Sequence, residues 1–196
     1  MDITKISSGR APPQDVNVVV EIPQGGLPVK YELDKASGAM FVDRFLHTAM
    51  FYPGNYGFVP HTLALDGDPI DVLIVGPVAV VPGAIVRCRP IGALLMEDEA
   101  GPYEKIVAVP VDALHPFYSG LRSYEDLPRI LCDQIAHFFS HYKDLEKGKC
   151  TWTPSRGGYQ RNDSTASPLA MTVRRDPELR EPPATGQCRL RRGTSR

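Results

Sequence analysis

The chain reads as an α+β protein: a β-rich body of many short strands with helices at one side. Three observations predict this. Short β-branched or alternating segments recur at close, turn-separated spacing as far as Val109. Apolar residues from Leu127 to Tyr142 recur at three- and four-residue steps, the period of a helix. The 196 residues, 42% hydrophobic and 23% charged, suffice for one well-buried domain and leave little room for two.

Residues 16–22 are β-branched and stop at Pro23, and a Gly25-Gly26 turn leads into residues 29–33, where apolar and polar residues alternate. Gly38 precedes a third strand at 39–45. Further strands are predicted at 56–59, 71–75, 84–95 and 105–109, a spacing that suits a barrel or a sandwich. The helix carries Leu127, Ile130, Leu131, Ile135, Phe138, Phe139 and Tyr142 on one face. Ser123 is the expected N-cap, with Asp126 three residues on and Pro128 in the first turn. Lys143, Lys147 and Lys149 suit the helix C-terminus, and Gly148 is the expected stop.

The densest chemistry is Asp66-Gly67-Asp68-Pro69-Ile70-Asp71, three carboxylates in six residues, directly before the apolar run 72–75. Like charges this close stay ionised at a strand mouth only with a cation among them. Oxygen donors without Cys or His suit a hard ion, Mg²⁺ or Mn²⁺, rather than zinc. Gly67 allows a tight turn and Pro69 fixes the backbone, so the acids sit on a stiff corner. A calcium EF-hand is disfavoured because the closing Glu is missing and a strand follows. Glu21 and Glu32 lie on neighbouring strands and can face each other; Glu97-Asp98-Glu99 ends a long apolar strand. Together these acids can line one end of a barrel.

The same segments hold isolated cations, Lys30, Arg44 and Lys105, and phenols, Tyr52, Tyr56 and Tyr142, with Lys143 beside the last. Guanidinium and ammonium groups bind phosphate oxygens, and phenols add neutral donors. Many carboxylates with a few cations describe a site for several metals and a compact, highly anionic ligand. There is no P-loop, no dinucleotide-binding glycine motif and no Ser or Cys nucleophile motif. His137 and His141 are four apart on the helix but lack the glutamate of a zinc-protease motif.

Net charge is −1, yet unevenly placed: nine of the 22 basic and four of the 23 acidic residues fall in 150–196, so that segment carries +5 and residues 1–149 carry −6. An acidic body argues against general nucleic-acid binding. No apolar run approaches a membrane span, the N-terminus lacks signal-peptide character, and Cys88, Cys132, Cys150 and Cys188 form no CxxC pair. A cytoplasmic protein with free thiols is expected.

The motifs Lys30-Tyr31-Glu32, Asp43-Arg44, 52–57 (Tyr-Pro-Gly-Asn-Tyr-Gly), 66–71 and 141–146 (His-Tyr-Lys-Asp-Leu-Glu) resemble, in order, those of soluble family I inorganic pyrophosphatases of the bacterial type. The resemblance spans roughly residues 1–149. It implies an OB-type five-stranded β-barrel with flanking helices, Mg²⁺-dependent hydrolysis of pyrophosphate to two phosphates, and a homohexamer. By matching position it implies that Asp66, Asp71 and Asp98 ligate metal and that Asp68 orients and deprotonates the attacking water. Glu21 and Glu32 bind additional metal at the outer phosphate. Lys30, Arg44, Tyr56, Lys105, Tyr142 and Lys143 hold phosphate. Several Mg²⁺ per subunit are expected, with Mn²⁺ as a substitute. Such metals make a nucleophile from water at neutral pH, and the basic side chains offset charge on the phosphoryl oxygens.

Two features depart from that pattern. The family places a metal-binding Asp where this chain has Tyr103, and Glu104, on the opposite face of a strand, cannot replace it. Weakened metal binding and lowered activity are expected. Cys150 stands where the family usually has Trp, and residues 150–196 lack the terminal amphipathic helix. Their Arg, Pro, Gly and Ser content without Lys matches a GC-rich gene read out of frame; a frameshift near codon 150 is expected, a genuine basic, disordered tail being the alternative. Two other functions compete: a homologue that binds metal or phosphate without turnover, and an OB-type nucleic-acid module using the basic tail.

Overall fold

The structure is a computed structural model that describes residues 1–64, 67–98, 101–146 and 159–161. Its strands are β1 (Val16–Ile22), β2 (Val29–Leu33), β3 (Met40–Phe45), β4 (Asn55–Phe58), β5 (Asp71–Ile74), β6 (Ile85–Asp98), β7 (Gly101–Pro110) and β8 (Tyr159–Arg161); the helix is α1 (Arg129–His141). Five strands close a ring in the order β1-β4-β5-β7-β6, and β6 returns to β1. All neighbours are antiparallel except the parallel pair β5–β7. Closure leaves none of the five with a free edge along the paired stretch. The five-stranded barrel expected from the motifs is present, with β2 and β3 as a separate hairpin beside it. Gly57 makes one seam of the ring: a methyl group there would collide with the Val19 carbonyl across β1–β4.

Strand alternation builds two cores. Val16, Val18 and Val20 of β1, Val72 and Ile74 of β5, Cys88 and Ala93 of β6, and Ile106 and Ala108 of β7 form one cluster. The intervening Leu73, Val107 and Val109 belong to a second cluster, shared with Ile135, Phe138 and Phe139 of α1. A helix cannot fit inside a five-stranded ring, so the first cluster fills the barrel and the second seals its outer wall. Burying each of those three α1 side chains contributes about 1.5–3 kcal/mol. On β6 the register slips between Pro90 and Gly92, where Pro90 has no N–H for the ladder.

The helix begins later than its pattern predicts. Ser123 and Asp126 do make a reciprocal capping box, but it closes a 3₁₀ turn, Tyr124–Asp126. Leu127 is extended and Pro128 supplies no cap bond, so the α-helix starts at Arg129. It ends at His141, followed by single turns that bond Asp144 N to His141 O and Glu146 N to Lys143 O. The expected stop at Gly148 lies outside the described residues. Of the segment expected to lack regular structure, β8 is described, pairing with Gly92–Leu94 of β6; the rest of 150–196 lies outside the described residues. Among the described residues no helix is long and apolar enough to cross a membrane.

Candidate active site

The acidic corner is clamped at its base. Val59 N donates to Ile70 O at 3.0 Å, and the buried Thr62 hydroxyl donates to Val59 O while accepting from Ile70 N. Ala64 N donates to Asp68 O at 2.7 Å, and Gly67 takes φ +90° with open space around it, a conformation L side chains avoid. This stiff turn presents Asp68 to solvent and delivers Asp71 to the first position of β5. Asp66 lies outside the described residues, as does the side chain of Asp98 at the end of β6.

Asp71 meets Lys105 because β5 and β7 run parallel with Val72 beside Ile106, which sets residues 71 and 105 one step earlier in register. Lys105 Nζ donates to Asp71 Oδ2 and to the Tyr56 hydroxyl, both at 2.7 Å. Lys105 is 5% exposed, and these two partners satisfy its buried head group. Its ammonium also lies 5.2 Å from the Tyr56 ring centroid, 5.2 Å from Tyr103 and 5.7 Å from Phe139. Burial, then the Asp71 charge, lifts the Tyr56 phenol well above its ordinary value. Tyr52 and Tyr142 are raised too, chiefly by burial. Tyr52 packs at 5.3 Å from Tyr56 and 6.3 Å from Tyr142, so the phenols form a contiguous, un-ionised wall.

A second group of charges lies on the hairpin. Lys30 Nζ is 2.9 Å from Asp43 Oδ2 and 3.5 Å from Glu32. Burial works to lower the Lys30 value, but the bond to Asp43 together with the charges of Asp43 and Glu32 outweighs it and the net is upward. Arg44 lies 3.2 Å from Asp43 and 3.0 Å from Glu146, on the turn after α1; the latter atoms are close without the alignment of a hydrogen bond. Thr48 Oγ1 donates to Tyr142 O, tying the chain after β3 to that turn. Lys143 Nζ sits 5.4 Å from the Tyr142 ring centroid.

Glu21 stands between the two groups. Its Oε1 accepts from Leu33 N at 2.8 Å, so β1 and β2 meet through a side chain, not a ladder. Burial, partly opposed by that bond and reinforced by the charges of Asp71 and Glu32, pushes the carboxyl up to about 7. An oxygen-only donor set in mutual repulsion fits a hard divalent cation. Among the described residues no three His, Cys, Asp or Glu side chains converge on a metal position. His137 and His141 rings pair at 4.6 Å on α1, and His141 bonds Asp144.

The expected site residues thus fall into a group on β4, β5 and β7 (Tyr56, Asp71, Lys105), a hairpin group (Lys30, Glu32, Arg44) and Glu21 between them, with Tyr142 and Lys143 at the helix exit. Tyr56, Lys105 and Tyr142 lie on the wall that faces α1. Asp43, Glu146 and Phe139 were not among the expected site residues. Asp43 and Glu146 had a readable signal, as members of the motifs at 43–44 and 141–146; Phe139 had only its place on the apolar face of the helix.

A family model for inorganic pyrophosphatase matches residues 18–175. An inorganic pyrophosphatase of Caulobacter vibrioides is 65% identical over 175 residues, 89% of this chain and 97% of that protein. Among solved structures, an inorganic pyrophosphatase of Coxiella burnetii aligns with a TM-score of 0.75 at 48% identity, covering 80% of this chain and 90% of the other. A structure described as an inorganic phosphatase of Anaplasma phagocytophilum aligns at 0.76 and 49% identity with the same coverage.

Proposed function

This chain belongs to the inorganic pyrophosphatase family, and on that premise we propose how its own residues cleave pyrophosphate. It is a hydrolase that splits pyrophosphate into two phosphates. The family implies a divalent metal; Mg²⁺, several ions per subunit, is our reading, with Mn²⁺ as the substitute. Asp66, Asp71 and Asp98 hold it, with Glu21 and Glu32 serving the outer phosphate. When bound, the metal lowers the pKa of a coordinated water and offsets charge on the leaving phosphate. An Asp68 carboxylate oxygen orients the attacking water and accepts its proton. Lys105, Lys30, Arg44 and Lys143 bind phosphoryl oxygens, and Tyr56 and Tyr142, kept protonated by burial, donate O–H to them. Water attacks directly, and no covalent intermediate on the protein is needed.

The observation that carries this assignment of roles is the union at one wall of carboxylates, an ammonium and un-ionised phenols, facing a Lys–Arg pair across Glu21. We also read the protein as a cytoplasmic homohexamer that binds neither nucleic acid nor membrane; the net of −6 on residues 1–149 supports the nucleic-acid part.

The test is phosphate release from pyrophosphate with Mg²⁺, for this chain beside Tyr103→Asp. Release by both, faster in the variant, is the expected result. Absence of release from folded preparations of both would overturn the reading.

A further inference from the structure

Tyr103 stands two residues before Lys105 on β7, paired with Met96 of β6, so the two side chains share the face turned toward α1. The half-buried Tyr103 ring packs against the outer-wall core, and its centroid is 5.2 Å from Lys105 Nζ. Phe139 supplies a second face at 5.7 Å, while Tyr56 meets the ammonium through its hydroxyl. Two ring faces and the Tyr56 hydroxyl around one ammonium form a cage, and desolvation strengthens each contact. The ammonium spends one proton on Tyr56 and one on Asp71 Oδ2, at 2.7 Å each. A ring holds a cation without accepting its protons in competition with Asp71, whereas a carboxylate at 103 would draw the ammonium toward itself.

We propose that Tyr103 is a positioning residue whose ring closes this cage and keeps Lys105 seated on Asp71 Oδ2, so that a hard divalent cation competes with the ammonium for that carboxylate. The cage thereby sets how much metal the protein needs. This rests on the pyrophosphatase reading, in which Asp71 is a metal ligand.

The experiment is Mn²⁺ binding to the full chain, followed by the paramagnetic resonance of free Mn²⁺, with phosphate release measured on the same samples. Tyr103→Leu keeps bulk but removes the π face; Tyr103→Phe keeps the face and removes the hydroxyl. The Leu variant is expected to bind Mn²⁺ roughly threefold to thirtyfold more tightly, the range a cation–π contact corresponds to. The Phe variant should match the parent. In a Lys105→Met background the Leu change should have no further effect, because it acts through the ammonium. Unchanged or weaker binding by folded Tyr103→Leu, or an equal gain in the Lys105→Met background, would overturn the proposal. Should the Leu variant fail to fold, Tyr103→Met carries the same expectation. Shifted Mn²⁺ affinities without phosphate release from any variant would uphold the cage and sink the enzymatic reading instead.

Discussion

The two cationic groups of the site are built on different foundations. Lys105 is anchored in a closed barrel, 5% exposed, with its carboxylate partner delivered by parallel strand register. Lys30 and Arg44 hang on a two-stranded hairpin outside the ring, each about a quarter exposed, and Arg44 reaches a partner on the turn after α1. In the first group the surrounding protein is dry and the geometry preset, so each bond is strong and each loss expensive. In the second, water and salt compete, and the pairs contribute little to stability while remaining free to exchange partners. Preorganisation thus sits on the sheet, and adaptability on the hairpin.

The largest expected effect probes the dry group. Lys105→Met should lower kcat/KM roughly 10²–10³-fold, as loss of a preorganised electrostatic partner does. It should also cost about 1–3 kcal/mol of folding stability, read by denaturant unfolding, because Tyr56 and Asp71 lose their common donor. Arg44→Ala should raise KM and reduce kcat/KM by on the order of tenfold, while costing under about 1 kcal/mol of stability. If Arg44→Ala destabilises as much as Lys105→Met, the contrast fails.

Glu21, between the groups, sharpens the comparison through pH. Its carboxyl is raised from 4.5 to about 7, so without metal the folded protein holds a proton that the unfolded chain has released. Stability on this account is greatest below about pH 4.5, falls as pH rises toward 7, and levels off above it, by on the order of 3 kcal/mol at most. Melting temperature should therefore decline between about pH 5 and 7 in chelator and much less with Mg²⁺ present. Glu21→Gln should flatten the chelator curve; an undiminished slope in that variant would rule Glu21 out as its source.

The smallest effect tests whether the region outside the site is ordinary. Ser123→Ala should cost about 0.5–1 kcal/mol through loss of the capping box, with catalytic constants unchanged. A change in KM would mean that the approach to α1 communicates with the outer wall.

Local pattern was enough for most of the scaffold. The strands at 16–22 and 29–33 end where the pattern says, because Pro23 and the turn residues punctuate them and β-branched side chains have few other uses. The amphipathic stripe of α1 was equally readable, but its start was not: Ser123 and Asp126 form the right motif around the wrong kind of turn, and Pro128 resets the chain before the helix begins. Candidate site residues could be named from residue type and motif order alone. Their partnerships could not.

Composition and alternation by themselves determined a β-rich chain with an acidic, phosphate-seeking site, because side-chain chemistry and local periodicity are properties of neighbouring residues; the resemblance of its ordered motifs implied the pyrophosphatase family. Only the tertiary structure decided that Asp71 belongs to Lys105, 34 residues away, that Arg44 belongs to Glu146, and that Tyr103 and Phe139 wall in an ammonium. Those contacts depend on parallel register, ring closure and the packing of α1 on the barrel's outer face, which join segments distant in the chain and leave no mark on either segment alone.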